Sequence, residues 1–453
     1  MNESGGAFEG GPEPGGDMAL HDLRVTVESI GGRAVCGLRV GDYFEVTMSS
    51  RVMVPRHFCL YALAAVLPLL PAKQRDLPAA DWLARDSLVA CPDPDERLVM
   101  RITRTGRRGL RSADLTCAAG RVDAEFGIAF QTDKPPGAYG PLAATAEAHG
   151  FDVVSVFADL LYQPPLPALL EIARATSRVR LGAACFNPYT LHPYEIAGQV
   201  AALDAASAGR AYLGLARGAW LGAIGITQSR PLRRLREAAA VARALLAGDE
   251  TGFAGQEFRL EPGTRLRSML PFCSPLLLLG AWGPRGTALA GEIADELKVG
   301  GTASPAVIAQ ARQRVTAASV AAGRAADSVR VVAGAVTVVA EDGASARRRA
   351  RSEVAMYLAV VGALDTTAGL PDGLVSSVAE LVATGNDAAA GALIPDEVLD
   401  RFAFSGTPEQ VAAQARAVIG AGAGRIDFGT PHGLTDADGV RLLGTRVLPL
   451  LRE

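Results

Sequence analysis

From Glu125 to the end of the chain, strand-like and helix-like runs alternate, and this alternation restricts the fold more than any other feature of the sequence. Phe126–Gln131, Asp152–Phe157, Val179–Cys185, Ala211–Ala216, Leu276–Gly280, Glu296–Val299, Val329–Ala340 and Arg425–Phe428 read as strands. Between them, helices are expected at Tyr139–His149, Pro165–Thr176, Pro193–Ser207, Pro231–Ala247, Pro284–Ala294, Pro305–Gly323, Ala346–Val361 and Pro408–Ala421, with a last one at Asp436–Leu451. Thr407-Pro408-Glu409-Gln410 supports one of these starts, because it is a capping-box pattern with proline at the first helical position. Eight βα units imply an α/β fold of the (β/α)8 barrel type, with its site where the strands end.

Two departures from a minimal barrel stand out. Phe253–Phe258 reads as a hairpin inserted after the fourth unit, and residues 362–399 form a longer insertion after the seventh strand, mixing helical runs with Gly and Asp turns. An insertion on that face is expected to serve as a lid or as a dimer contact.

The front of the chain has a different cadence. Strand-like runs at Asp22–Ile30, Tyr43–Met48 and Val99–Arg104, with a helix candidate at Phe58–Leu70, describe a small α+β domain over 19–108. Residues 1–18 are expected to form a disordered tail, and 109–124 a linker to the barrel at 125–453.

Within the barrel, Ser274–Gly301 is built to hold an anion. Leu276–Leu279 is a short apolar run, and Gly280, Ala281, Trp282 and Gly283 form a tight turn with two glycines. Pro284 opens the next helix, whose free N–H groups around Arg285 and Gly286 can face a phosphate, and Arg285 adds a forked cation. The same pattern also describes an ordinary βα connection with a solvated arginine.

Charge and cysteine usage narrow the partners. Lys and Arg number 45 against 48 Asp and Glu, a net charge of −3, so no global field points to nucleic acid or an anionic membrane. A small-molecule substrate is expected instead. Only Lys73, Lys134 and Lys298 are lysines, so almost all of the basic charge is arginine. Six scattered cysteines with no CxxC pair suit a reducing cytoplasm, and neither a signal peptide nor a bilayer-length apolar run is present in the sequence. Cys36, Cys59 and Cys91 with His57 would supply tetrahedral ligands if the fold brought them together, but without a paired knuckle their spacing assigns no metal.

Four motifs in order carry a resemblance. They are Leu181–Pro193 (LGAACFNPYTLHP), Gly214–Gly218 (GLARG), the GAWGPR turn at Gly280–Arg285, and Phe428–Gly433 (FGTPHG). Together they resemble the luciferase-like flavin and deazaflavin oxidoreductases, most of all the methylenetetrahydromethanopterin reductase branch. The resemblance implies a (β/α)8 barrel using coenzyme F420, with FMN as the alternative, and transfer of a hydride to or from a small organic substrate such as a methylene-tetrahydropterin or folate. An FMN-dependent monooxygenase, or a barrel that binds coenzyme without catalysis, are the other readings. It implies a homodimer as well. By the same resemblance, a bulge with a non-prolyl cis peptide at Ala184–Cys185 backs the coenzyme ring, and Asn187, Arg217, Gly218, the 280–285 turn, Gly300 and Gly301 surround the coenzyme. Asp159, His192 and His432 are the catalytic candidates, each with a structural alternative as a loop or cap residue. The chain departs from that branch at Ala129 and Ala158, where an acidic residue and part of an Asp-His pair are usual, which makes Asp159 the candidate replacement carboxylate. Residues 22–104 resemble a small uncharacterised domain family through Cys36-Gly37, Val40-Gly41-Asp42, Cys59 and Ala90-Cys91-Pro92-Asp93.

Overall fold

Alternate residues along the strands of the larger unit face two different environments, and this explains the architecture. The computed structural model describes residues 18–47, 51–54, 57–78, 80–110, 124–267, 270–271, 274–365, 367 and 369–453. The chain divides into two compact units, Met1–Arg121 and Val122–Glu453.

In the second unit, eight strands run parallel: β6 (Glu125–Phe130), β7 (Val153–Val156), β8 (Arg180–Ala183), β9 (Leu213–Ala216), β12 (Leu277–Gly280), β13 (Glu296–Gly300), β14 (Arg330–Val339) and β16 (Arg425–Gly433). Each pairs with its neighbour in chain order, β16 returns to β6, and bridges at Leu181–Ala211 and Phe186–Leu215 close β8 against β9. The expected (β/α)8 barrel is present. Phe126, Ile128, Leu297, Val299, Ile426 and Phe428 are buried in the apolar layer beneath the helices. Alternate residues of the same strands, Glu296, Lys298, Arg425 and Asp427, fill the interior.

That interior is charged but paired. Arg425 Nε donates to Asp427 Oδ1 at 2.9 Å and its Nη1 to Glu296 Oε2 at 2.6 Å, while Lys298 pairs with the other Asp427 oxygen. Towards the strand starts, Arg180 and Arg330 join Glu125 and Glu296. Gly127 is required here, since a Cβ on it would collide with the Asp427 carboxylate; Gly182 likewise leaves room for the Tyr212 ring. Burial alone would push the Asp427 and Glu296 carboxyls up, but the adjoining cations outweigh it and hold both below their ordinary range.

Several boundaries differ from those expected. Strand β16 continues to Gly433, and β15 (Ala403–Gly406), not foreseen, pairs with the outer part of β14. The 253–258 insertion is a hairpin of β10 (Phe253–Ala254) and β11 (Arg259–Leu260). Helices Leu374–Ala383, Asp387–Ala392 and Asp396–Phe402 occupy the second insertion and pack against the helix Gly343–Val361.

The first unit is an antiparallel sheet in the order β3 (Arg51–Met53), β2 (Tyr43–Thr47), β1 (Met18–Ile30), β5 (Leu98–Leu110), β4 (Ser87–Ala90). Leu23, Val25 and Val27 alternate with outward Arg24, Thr26 and Glu28 and pack against Ala62, Val66 and Leu70. The helix expected at Phe58–Leu70 is interrupted: Leu60–Val66 is α-helical, Leu67–Leu69 is a 3-10 turn, and Leu70–Lys73 resumes, because Pro68 cannot donate within the turn it enters. The start of the expected linker is a correction too. Gly109 and Leu110 pair with Ala19 and Met18, since the thirteen-residue β1 offers a longer edge than the hydrophobic pattern indicated. Most of the expected tail and linker, residues 1–17 and 111–123, lies outside the described residues.

The buried charges predict a specific instability. Arg425→Ala should reduce the unfolding free energy by about 3–5 kcal/mol, because Asp427 and Glu296 would lose their shared buried cation. A urea titration reads this as a lower midpoint. The stability contributed by the two carboxylates is present above their unfolded pKa and lost as pH falls through their lower folded values, so the wild-type midpoint should decline in acid. A variant with an unchanged midpoint contradicts the assignment.

Candidate active site

At the C-terminal ends of the barrel strands lies a cavity of about 1170 Å³. Its floor is the Lys298–Asp427 pair, with Lys298 Nζ 5.8 Å from the Phe157 ring centre. The wall beside it comes from the residues after β8, where the peptide between Ala184 and Cys185 is cis as expected. A Cβ on Gly280 would sit 3.0 Å from Ala216 Cβ and 3.3 Å from Cys185 Sγ, so the sulfur and the glycine turn are in close packing. Burial pushes the Cys185 thiol up to about 12, against the opposing pull of Lys298. It is therefore a neutral packing group.

One end of the cavity is cationic. Gly283 precedes the helix Pro284–Ile293, whose first amides have no carbonyl partner within the helix. A Cβ on Gly283 or Gly300 would meet nothing within 4 Å, so the backbone here is open to close approach by a ligand. Arg217 and Arg285 line this end, both exposed, and neither has a carboxylate within 4.0 Å among the described residues. Arg230, by contrast, is paired with Glu257.

The other end carries an isolated carboxylate. Gln131, buried at the end of β6, donates from Nε2 to Asp159 Oδ2 at 2.9 Å and to the Tyr357 hydroxyl at 3.3 Å, while its Oε1 accepts from the Thr132 N–H. Burial pushes the Asp159 carboxyl up, and the Gln131 hydrogen bond only partly opposes it. Burial also pushes the Tyr357 phenol up, with Asp159 adding to it. Trp220 lies over Tyr357 with ring centres 5.8 Å apart. Tyr357, Val354 and Val361 all come from the helix Gly343–Val361, which covers this end.

The sequence candidates thus divide. Asp159, Ala184, Cys185, Arg217, Gly218, the Gly280–Arg285 turn, Gly300 and Gly301 line one cavity. Asn187, His192 and His432 do not. Asn187 Oδ1 accepts from the Tyr189 and Thr190 amides and organises its own loop, against which Gly218 packs. His192 caps its helix, with Nδ1 accepting from Tyr194 N–H at 3.1 Å, and its ring stands edge-on to Phe258. His432 is buried behind the wall, with Nε2 3.2 Å from the Ala129 carbonyl and Nδ1 3.4 Å from Asp436. Burial pushes the His432 pKa down, and the Asp436 carboxylate only partly opposes it.

The luciferase-like monooxygenase family pattern matches residues 124–425. The chain belongs to this family. The 5,10-methylenetetrahydromethanopterin reductase of Archaeoglobus fulgidus is 29% identical over 337 residues, covering 72% of this chain and all of the relative. The structure of the coenzyme F420-dependent tetrahydromethanopterin reductase from Methanopyrus kandleri superposes with a TM-score of 0.67 at 24% identity, over 72% of this chain and 99% of that one. An F420-dependent secondary alcohol dehydrogenase, crystallised with an F420-acetone adduct, shares the fold at a TM-score of 0.61 and 18% identity, over 73% of this chain and 99% of that one.

Some residues of this family barrel's cavity escaped the sequence reading. Trp220 and Tyr357 are 137 positions apart and meet only because the long helix folds over β9's loop. Lys298 did leave a signal. All three lysines of this arginine-rich chain are buried, and a lone lysine inside an apolar strand is a candidate for an interior ion pair.

Because Gln131 is the hydrogen bond that lowers the Asp159 pKa, Gln131→Met should raise it further. Carboxyl infrared difference spectroscopy across a pH titration, with Asp159→Asn to assign the band, measures this directly. An unmoved Asp159 titration contradicts the proposed coupling.

Proposed function

We propose that this chain is a coenzyme F420-dependent oxidoreductase that transfers a hydride between the deazaflavin and a small organic substrate. The observation that carries this reading is the polarity of a single cavity, with unpaired arginines and a glycine turn at one end and a half-buried carboxylate at the other. A deazaflavin has carbon where a flavin has its reactive N5, so when bound it supplies two-electron hydride transfer and little oxygen chemistry.

The residues divide the work accordingly. Arg285, Arg217 and the free amides after Gly283 fit the anionic tail of such a coenzyme. Ala184 and Cys185 present a flat, uncharged wall to its ring. Asp159 is placed to exchange a proton on the substrate side, since burial raises its carboxyl pKa and Gln131 fixes one of its oxygens. Tyr357, Trp220 and the overlying helix exclude water and offer aromatic faces to a planar substrate. Methylene-tetrahydropterins and folates are the first substrates to test, given what the archaeal relatives are named for.

Spectroscopic titration of the purified protein should show saturable binding of F420 and none of FMN. Saturation with FMN accompanied by oxygen uptake overturns the proposal in favour of a monooxygenase. Arg285→Ala should weaken coenzyme affinity while kcat at saturation is retained, because a tail contact acts equally in the ground and transition states. Asp159→Asn should do the opposite, lowering kcat by roughly 10²–10⁴-fold with coenzyme affinity kept. Full activity of that variant removes Asp159 from the chemistry.

A further inference from the structure

The N-terminal unit gathers its chemistry at one end of the sheet. Cys36 lies in the loop between β1 and β2, Cys59 precedes the helix Leu60–Val66, and Glu96 lies in the turn leading into β5. Although they are far apart in sequence, the two sulfurs and a Glu96 carboxylate oxygen lie within 4.8 Å of one another. Glu96 is only 2% exposed. Its Oε1 accepts from the Cys36 N–H at 3.0 Å, and its Oε2 lies 3.5 Å from Cys36 Sγ. No cationic side chain comes within 4.0 Å of it among the described residues.

Thiols alone would be unremarkable here, because isolated cysteines often fill small apolar niches. The buried carboxylate does not fit that account. A charge removed from water needs compensation, and Asp427 and Glu296 in the barrel interior have Arg425 or Lys298 beside them, whereas Glu96 is buried with no such cation among the described residues. Cys59 gives a second sign. It stands at the N-cap of its helix, yet its side chain makes no capping hydrogen bond and is grouped with Cys36 and Glu96 instead.

We propose that Cys36, Cys59 and Glu96 bind one Zn²⁺ ion, which ties three loops of the N-terminal unit together. Two thiolates with one carboxylate suit zinc, since hard cations such as Mg²⁺ or Ca²⁺ prefer all-oxygen sites. His57, a candidate ligand from the sequence, is not one of the set. Its Nε2 lies 2.9 Å from the Cys36 carbonyl, where it braces the ligand loop. Cys91 is buried in the same core and is not one of the set.

Binding has a defined proton balance. Zinc must displace one proton from each thiol, and affinity falls as pH is lowered.

The test uses the full-length protein, reduced and stripped with a chelator, then titrated with Co²⁺ as a spectroscopic substitute. The expected result is a sulfur-to-cobalt charge-transfer band that saturates at one equivalent and is abolished by one equivalent of Zn²⁺. Cys36→Ser and Cys59→Ser should lose the band, and Glu96→Gln should weaken Zn²⁺ binding at least tenfold. Absence of the band in the wild-type protein overturns the proposal without relying on any variant. So does an unchanged band in both serine variants, or a Cys36–Cys59 disulfide in freshly purified, metal-free protein.

Discussion

Arg425, Asp427, Glu296 and Lys298 must be buried together, because no one of them would be tolerable inside a barrel alone. The Arg425 guanidinium spans both acids, Lys298 neutralises the remaining Asp427 oxygen, and the lower layer of Arg180, Arg330 and Glu125 continues the pattern. Their placement fixes much else. Asp427 needs glycine at 127 on the adjoining strand, Tyr212 needs glycine at 182, and Lys298 forms the floor on which the cavity stands. Replacing the set with well-packed apolar residues would often be neutral or stabilising in a generic core. Here a cavity lies directly above the set.

The cavity inherits an ordered floor and gains function from loops of different origin. The turn after β12 and the residues after β9 contribute cationic groups, whereas the carboxylate end is assembled from β6, the loop after β7 and a helix more than 180 residues further along the chain. Gln131 links these parts, since it bonds both Asp159 and Tyr357. Asp159 thus places a carboxylate at this end of the cavity, tied through Gln131 to the covering helix. No cation pairs with the carboxylate among the described residues, so burial raises its pKa and the Gln131 hydrogen bond only partly opposes this.

The barrel was legible in the sequence because each strand carries an apolar run and the intervening helices carry turn and capping signals. The glycine turn and the residues after β8 were legible as ordered motifs. What the sequence concealed were contacts set by the closed barrel and its covering helix. His192 and His432 attracted notice as histidines in strand-end loops, yet one is occupied in capping and the other is wedged beneath the wall, and neither burial nor partner is written in the local pattern. Tyr357 is the converse case: a single tyrosine in a polar helix gives no hint that it closes a cavity. In the first unit, the cysteines were visible but Glu96 was not, because an acidic residue in a turn is ordinarily solvated.

In the proposed enzyme, one cavity holds the coenzyme in a single orientation, tail towards Arg285 and ring towards Ala184, with its open face towards Asp159. A crystal structure of the protein with oxidised coenzyme F420 tests this most directly. Electron density is expected for the anionic tail at the Gly283–Arg285 turn and for the deazaflavin ring against the Ala184–Cys185 wall. A ring bound at the arginine end, or a coenzyme bound outside this cavity, would contradict it.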